Sequence, residues 1–224
     1  MVDKIVCYAM TRNIYEDAIA SIKSLLINGN IDKVYLLIED DEYPYICSDK
    51  LSIVNVSEQK YILPTSPNYG RKWTYMVMMR PLVFKFFPAE TRMLTMDIDT
   101  IVRGDLSPIW DTDMTNFYVA GAFEPSKCIG GKIYMNMGVA FWNLELMRDG
   151  TGDRIIEALN TKNYPFCEQD CVNIECAGHI KELPSKYNAN AFTKSTKDIA
   201  IRHYAFTKNW QTFPEIIEYK KKEI

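Results

Sequence analysis

Short apolar runs alternate along this chain with segments of helical periodicity, and that alternation limits its fold more than any other feature. Residues 4–10 (KIVCYAM) read as a buried strand, after which Ile19, Ile22, Leu25 and Leu26 recur at helical spacing and Gly29 offers a stop. Residues 33–39 (KVYLLIE) form a second predicted strand, closed by Asp40-Asp41-Glu42, and residues 51–56 a third. Residues 72–87 read as helical around a break at Pro81, and residues 91–96 (TRMLTM) as a fourth strand. Further strands are predicted over 117–123 and 138–144, short helices over 153–159 and 169–176, and a last strand over 199–204 before a solvated tail containing Tyr219 and Lys220 to Lys222. The pattern predicts an α/β fold with a central, mostly parallel sheet flanked by helices. With 224 residues, no internal repeat and no low-complexity linker, a single domain over residues 1–224 is expected.

Charge and motif arithmetic removes several function classes. Lys and Arg number 26 against 29 Asp and Glu, so the basic footprint of a nucleic-acid binder is missing. The first apolar run is too short for a signal core and lacks a small-residue cleavage site, and the run ending at Met79 is closed by Arg80 and Pro81, far short of the ~20 residues of a membrane span. Thr11-Arg12-Asn13 follow the first strand without a dinucleotide fingerprint, and there is no phosphate-binding P-loop. Cys167, Cys171 and Cys176 cluster near His179 with zinc-like chemistry, but no C-x-x-C pair occurs, and buried reduced thiols are the better reading. The expected compartment is the cytosol.

The sharpest candidate site is Met93 to Val102 (MLTMDIDTIV), where Asp97 and Asp99 close an apolar strand. In an extended strand residues i and i+2 share a face, and in open α/β sheets ligands gather beyond the carboxyl ends of strands. Two adjacent carboxylates are costly without a cation between them, and hard oxygen ligands suit Mn²⁺ or Mg²⁺ shared with substrate phosphates. A bare D-x-D can also be an ordinary polar strand end. It is the apolar lead-in and the sequel IVRGDLSPIW that favour a site.

Those residues carry a wider resemblance. The segments IVCYAMTRN, SIKSLL, MDIDTIVRGDLSPIW, NMGVAFWNLELMR, EQDCVNI, LPSKYN and HYAFTKNW, in this order from Ile5 to Trp210, resemble the family 8 glycosyltransferases. That family includes bacterial lipopolysaccharide galactosyl- and glucosyltransferases and glycogenin. The resemblance implies a GT-A fold, a nucleotide-sugar donor (usually UDP-hexose), a divalent metal, and a hydroxyl acceptor that the sequence does not identify. It implies Asp97, Asp99 and His203 as metal ligands, Lys208 at the diphosphate, and Arg80, Glu124, Asn136 and Glu168 at the donor hexose. It also implies Gln169 near the anomeric carbon, with Ala9, Thr11 and Asn13 at the nucleotide. Glu168, Gln169 and Asn136 are the residues expected closest to the chemistry. A primary amide is a poor nucleophile, so Gln169 is expected to orient the sugar and steady its charge.

Two departures stand out. Thr11 and Arg12 occupy positions where the family often has two aspartates, which puts uracil discrimination in question. Lys208-Asn209-Trp210 lacks the family's proline, and its spacing from His203 is one residue short. Two other readings therefore stand beside a retaining transferase. One is a haloacid dehalogenase-type phosphohydrolase with Asp97 as nucleophile and Asp99 as general acid, although that motif normally follows the first strand. The other is a GT-A domain that binds a nucleotide or glycan without turnover.

Overall fold

A computed structural model describes residues 2–70, 72–129, 132–193 and 197–224. Strand β1 (Ile5–Ala9) leads into helix α1 (Tyr15–Asn28), whose first turn carries Glu16 and Asp17 against the positive end of the helix dipole. Gly29 closes α1, its N–H donating to Leu25 O at 2.8 Å. Strands β2 (Lys33–Ile38) and β3 (Leu51–Asn55) follow. Pro81 removes a backbone donor from the next segment, which takes the tighter 3₁₀ form over Tyr75–Leu82 before the single turn of α2 (Val83–Phe86). Then come β4 (Arg92–Met96), β5 (Thr100–Val102), β6 (Val119–Ile129) and β7 (Lys132–Asn143). Helices α3 (Leu144–Met147), α4 (Thr151–Thr161) and α5 (Cys167–Glu175) precede β8 (Ile180–Glu182), β9 (Ile201–His203) and α6 (Pro214–Lys221).

The main sheet has the order β3-β2-β1-β4-β7-β6-β8. β1 to β4 run parallel, β7 is antiparallel to both β4 and β6, and β8 pairs parallel to β6. Alternation along β1 splits the core into two faces. Val6 and Tyr8 pack with Ile22 and Leu25 of α1, while Ile5 and Cys7 pack with Met76, Met79 and Trp142 on the other side. Each such side chain, removed entirely from water, contributes about 1.5–3 kcal/mol of transfer free energy. Among the described residues no helix is long and apolar enough to cross a membrane.

The predicted elements form, with three differences. β5 and β8, three residues each, are too short to show a period in sequence. β7 starts at Lys132, six residues before the predicted Gly138, because the polar Asn136 interrupts the apolar pattern while the strand runs on through an irregular stretch of its pairing with β6. The tail is not a solvated end. Its α6 buries Ile216 and Tyr219 against α1, and Tyr219 Oη accepts a 2.8 Å hydrogen bond from Asn28.

At the start of α6, Glu215 accepts from Arg103 Nε at 2.8 Å and Nη2 at 2.6 Å, and from Tyr204 Oη at 2.8 Å. Burial opposes the charge on Glu215, but these bonds outweigh it and hold its carboxyl below the ordinary value. A depressed carboxylate stabilises the fold above its unfolded pKa, near 4.3, and loses that contribution as pH falls through the folded value. Glu215→Gln is expected to lower the melting temperature by ~2–4 °C at pH 7, corresponding to about 1 kcal/mol, with the difference shrinking as pH falls through the folded value. Paired thermal melts across that range check it, and a pH-independent difference would assign the effect to packing instead of charge.

Candidate active site

The chain leaves the sheet at Met96 and turns through Asp97-Ile98-Asp99 before pairing again as β5. Asp97 N–H donates to Gly138 O at 2.7 Å, and Thr100 Oγ1 donates to Asp97 O at 2.7 Å. The two carboxylates therefore converge through a turn, not through the i, i+2 alternation of a strand that the sequence suggested. β5 pairs antiparallel with β9, with Thr100 opposite His203, and Tyr204 N–H donates to Asp99 O at 2.8 Å. That register carries His203 across the chain to the carboxylates. Its Nε2 lies 3.1 Å from Asp99 Oδ1 and 3.6 Å from Asp97 Oδ2.

A chain of buried amides stands behind the imidazole. His203 Nδ1 lies 2.7 Å from Asn188 Oδ1, Asn188 Nδ2 donates to Asn136 Oδ1 at 2.9 Å, and Asn136 Nδ2 donates to Glu124 Oε1 at 2.8 Å. Asn188 uses its nitrogen as donor to Asn136, so its oxygen must accept from His203, placing that proton on Nδ1. Burial disfavours charge on the ring, but Asp99 and Asp97 outweigh it and raise the His203 pKa, so Nε2 donates to Asp99, and a bound cation would take the Nε2 lone pair in that proton's place. The ligand atoms of Asp97, Asp99 and His203 all lie within 4.8 Å of one another. Two carboxylate oxygens and a neutral imidazole nitrogen suit Mn²⁺, with Mg²⁺ the harder alternative.

The opposite wall is set by Arg80, 5% exposed, from the 3₁₀ segment. Its guanidinium pairs with both Asp97 and Glu168 and donates to Met137 O at 3.1 Å. Burial pushes the Asp97 and Glu168 carboxyls up from their ordinary values, with Arg80 opposing. Burial also opposes charge on Asp99, but His203 outweighs it and holds that carboxyl low. Gln169 begins the α5 face beside Glu168. Its carbonyl oxygen accepts from Met137 N–H at 3.0 Å and its Nε2 donates to Tyr134 Oη at 3.0 Å, which fixes the amide plane.

These groups enclose a cavity of about 300 Å³ lined by Arg80, Asp97, Asp99, Asn136, Glu168, Gln169 and His203, with Lys72, Trp73, Val77, Phe166, Ala205 and Phe206 at its other walls. Of the remaining sequence-predicted residues, Glu124 sits behind Asn136. Ala9, Thr11, Asn13 and Lys208 are not among the lining residues. Thr11 Oγ1 instead donates to Asn13 Oδ1 at 2.6 Å beside an open cleft lined by Arg12, Tyr15 and Asp40, and Lys208 is exposed. Cys167, Cys171 and Cys176 are buried, burial pushing the last two thiols up to about 12. Among the described residues they gather no metal-ligating cluster with His179. Sequence reasoning missed Asn188, Tyr134 and Lys72. For Asn188 the signal was present in LPSKYN, but its partner lies across two connections.

The family model of glycosyl transferase family 8 matches residues 5–213. The chain belongs to this family. An Escherichia coli lipopolysaccharide 1,2-glucosyltransferase is 23% identical over 216 residues, covering 85% of this chain and 63% of its own length. A Haemophilus influenzae relative, named for glycosyltransferase activity, is 24% identical over 129 residues, covering 51% of this chain and 38% of its own. The chain thus spans less than two thirds of both curated relatives. The galactosyltransferase LgtC, solved with donor and acceptor sugar analogs, superposes with a TM-score of 0.78 at 15% identity, covering 96% of this chain and 95% of that one. The glycosyltransferase GlyE of Streptococcus pneumoniae gives 0.74 at 22%, covering 100% and 61%. These likenesses show a GT-A fold. The phosphohydrolase alternative falls with them, since Asp97 follows the fourth strand and its carboxylate is paired with Arg80.

Gly138 gives the site a direct test. A Cβ there would stand 2.1 Å from His203 Cε1 and 2.7 Å from Nδ1, so the ring would have to move. Gly138→Ala is expected to weaken Mn²⁺ binding by at least ~10-fold, about 1.4 kcal/mol, and titration calorimetry with the metal alone reads it. Unaltered affinity would remove His203 from the ligand set.

Proposed function

We propose that this chain transfers a hexose from a nucleotide diphosphate sugar, UDP-linked, to a hydroxyl acceptor with retention of anomeric configuration. The observation that carries the reading is the Asp97–Asp99–His203 cluster, which opens into a cavity whose other walls offer Arg80, Asn136, Glu168 and Gln169. A divalent cation, Mn²⁺ or Mg²⁺, held by the cluster would supply counter-charge to the diphosphate. Asp97 and Asp99 hold that position from the turn after β4, and His203 completes it from β9. Asn136, Glu168 and Arg80 pair the sugar hydroxyls as they leave water, with Glu124 fixing the Asn136 amide. The base lies toward Ala9, Thr11 and Asn13 at the end of β1.

In the transfer, the bond from the anomeric carbon to the diphosphate oxygen breaks with its electron pair leaving on that oxygen. The acceptor oxygen bonds to the same face, and its proton passes to the departing phosphate. Gln169 is an amide whose plane is already fixed by Met137 and Tyr134, so it orients the ring and steadies positive charge without becoming a covalent partner. The cytosol is the proposed compartment, supported by the unpaired cysteines among the described residues. Thr11 and the exposed Lys208 favour one other reading, a domain that binds without turnover, and Mn²⁺-dependent donor hydrolysis separates the two.

Gln169→Ala is expected to lower turnover by roughly 10–100-fold, about 1.4–2.7 kcal/mol, with donor binding intact. An α-linked UDP-sugar is expected to yield an α-linked product by NMR of the anomeric proton, and a β product overturns the mechanism. Because Thr11 is neutral, UDP is expected to be preferred over GDP, ADP and CDP by less than ~100-fold in Mn²⁺ competition assays.

A further inference from the structure

A nucleotide diphosphate brings several negative charges into a cavity that already holds carboxylates. Asp97, Asp99 and Glu168 all line it, and among the described residues the basic side chains along its walls are Arg80, His203 and Lys72. Arg80 is committed: its guanidinium pairs with Asp97 and Glu168 and with Met137 O. His203 is committed between Asp99 and Asn188. Lys72 is different. Its ammonium lies 4.6 Å from the centroid of the Trp73 ring and forms no ion pair with a described carboxylate. Trp73 is itself set against Phe166, ring centroids 6.1 Å apart, and both rings line the same cavity. Lys208 is exposed, as Lys72 is, but it lies in the turn after β9 and does not line the cavity.

We infer that Lys72, resting on Trp73, is the protein cation that meets the donor diphosphate, in the role the sequence resemblance implied for Lys208. The inference rests on the proposed function and assigns the contact within it. An ammonium carries three donors and no acceptor, which suits phosphate oxygens. A cation over an aromatic face at an exposed site is held by only about 0.5–1 kcal/mol, so the charge is placed near the cavity without being spent there. It counters the negative charge that grows on the diphosphate as the sugar leaves.

The test titrates the full chain with UDP and, separately, with inorganic pyrophosphate, each at fixed Mn²⁺, by calorimetry. The variants are Lys72→Met, Lys72→Arg and Lys208→Met. Lys72 has no hydrogen-bond partner among the described residues, and melts of each variant control for folding. Lys72→Met is expected to weaken both ligands by ~10-fold, Lys72→Arg to restore most of that loss, and Lys208→Met to stay within ~2-fold of the parent. Mn²⁺ affinity measured alone is expected to be the same in all. The reverse ranking, with Lys72→Met near the parent and Lys208→Met weakened, overturns the inference in favour of the turn after β9. If the parent binds pyrophosphate but not UDP and Lys72→Met loses it, the Lys72 contact stands while the nucleotide reading falls. A parent that binds neither overturns both.

Discussion

Arg80 carries a charge that only the protein solvates, and the arrangement of the site follows from where that charge is placed. A buried guanidinium without partners would be prohibitively costly, and removing one partner of such a network costs several kcal/mol. The 3₁₀ segment around Pro81 delivers Arg80 between the turn after β4 and the start of α5, where it pairs with Asp97 and Glu168 at once. One side chain thus ties the carboxyl end of the central strand to the helix that presents Gln169. Its third contact, to Met137 O, adds β7, whose Gly138 carbonyl in turn receives the Asp97 N–H.

The cluster proposed to hold a metal depends on a second, smaller construction. β5 and β9 pair over only three positions outside the main sheet, yet their register sets His203 beside Asp99. Segment 188–190 runs along β9, with His203 N–H donating to Ala189 O, which is why Asn188 reaches the ring. The relay from His203 through Asn188 and Asn136 to Glu124 is buried throughout. In such a place a fully paired network fixes orientation strongly, whereas one missing member would leave unpaired polar groups. Gly138 fits the same logic, since the absence of a side chain there lets the imidazole sit against β7.

Local backbone strain gathers around the cavity as well. Cys167, immediately before Glu168 and Gln169, has φ of 49°, and Phe206, on the cavity wall, has φ of 65°. Non-glycine residues pay about 1–2 kcal/mol to occupy this left-handed region, and such outliers concentrate where function fixes geometry. Phe206 lies three residues after His203, in the turn that follows β9, so this turn takes a left-handed conformation without a glycine.

What the sequence determined is what short-range physics can write. Apolar period placed β1, β2, β4 and α1 within a residue or so at most ends, and a pair of aspartates after an apolar strand marked the mouth of the sheet. The ordered motifs also named most of the cavity's polar wall, including Arg80, Asn136, Glu168, Gln169 and His203. Tertiary structure alone decided which of these groups meet. The turn at Asp97 to Asp99, the three-residue β5–β9 register and the packing of α6 on α1 depend on contacts between segments distant in the chain, which no local period encodes. The same holds for the cations. Lys72 and Lys208 are alike as letters and both are exposed, and only the fold puts the first of them on the cavity wall.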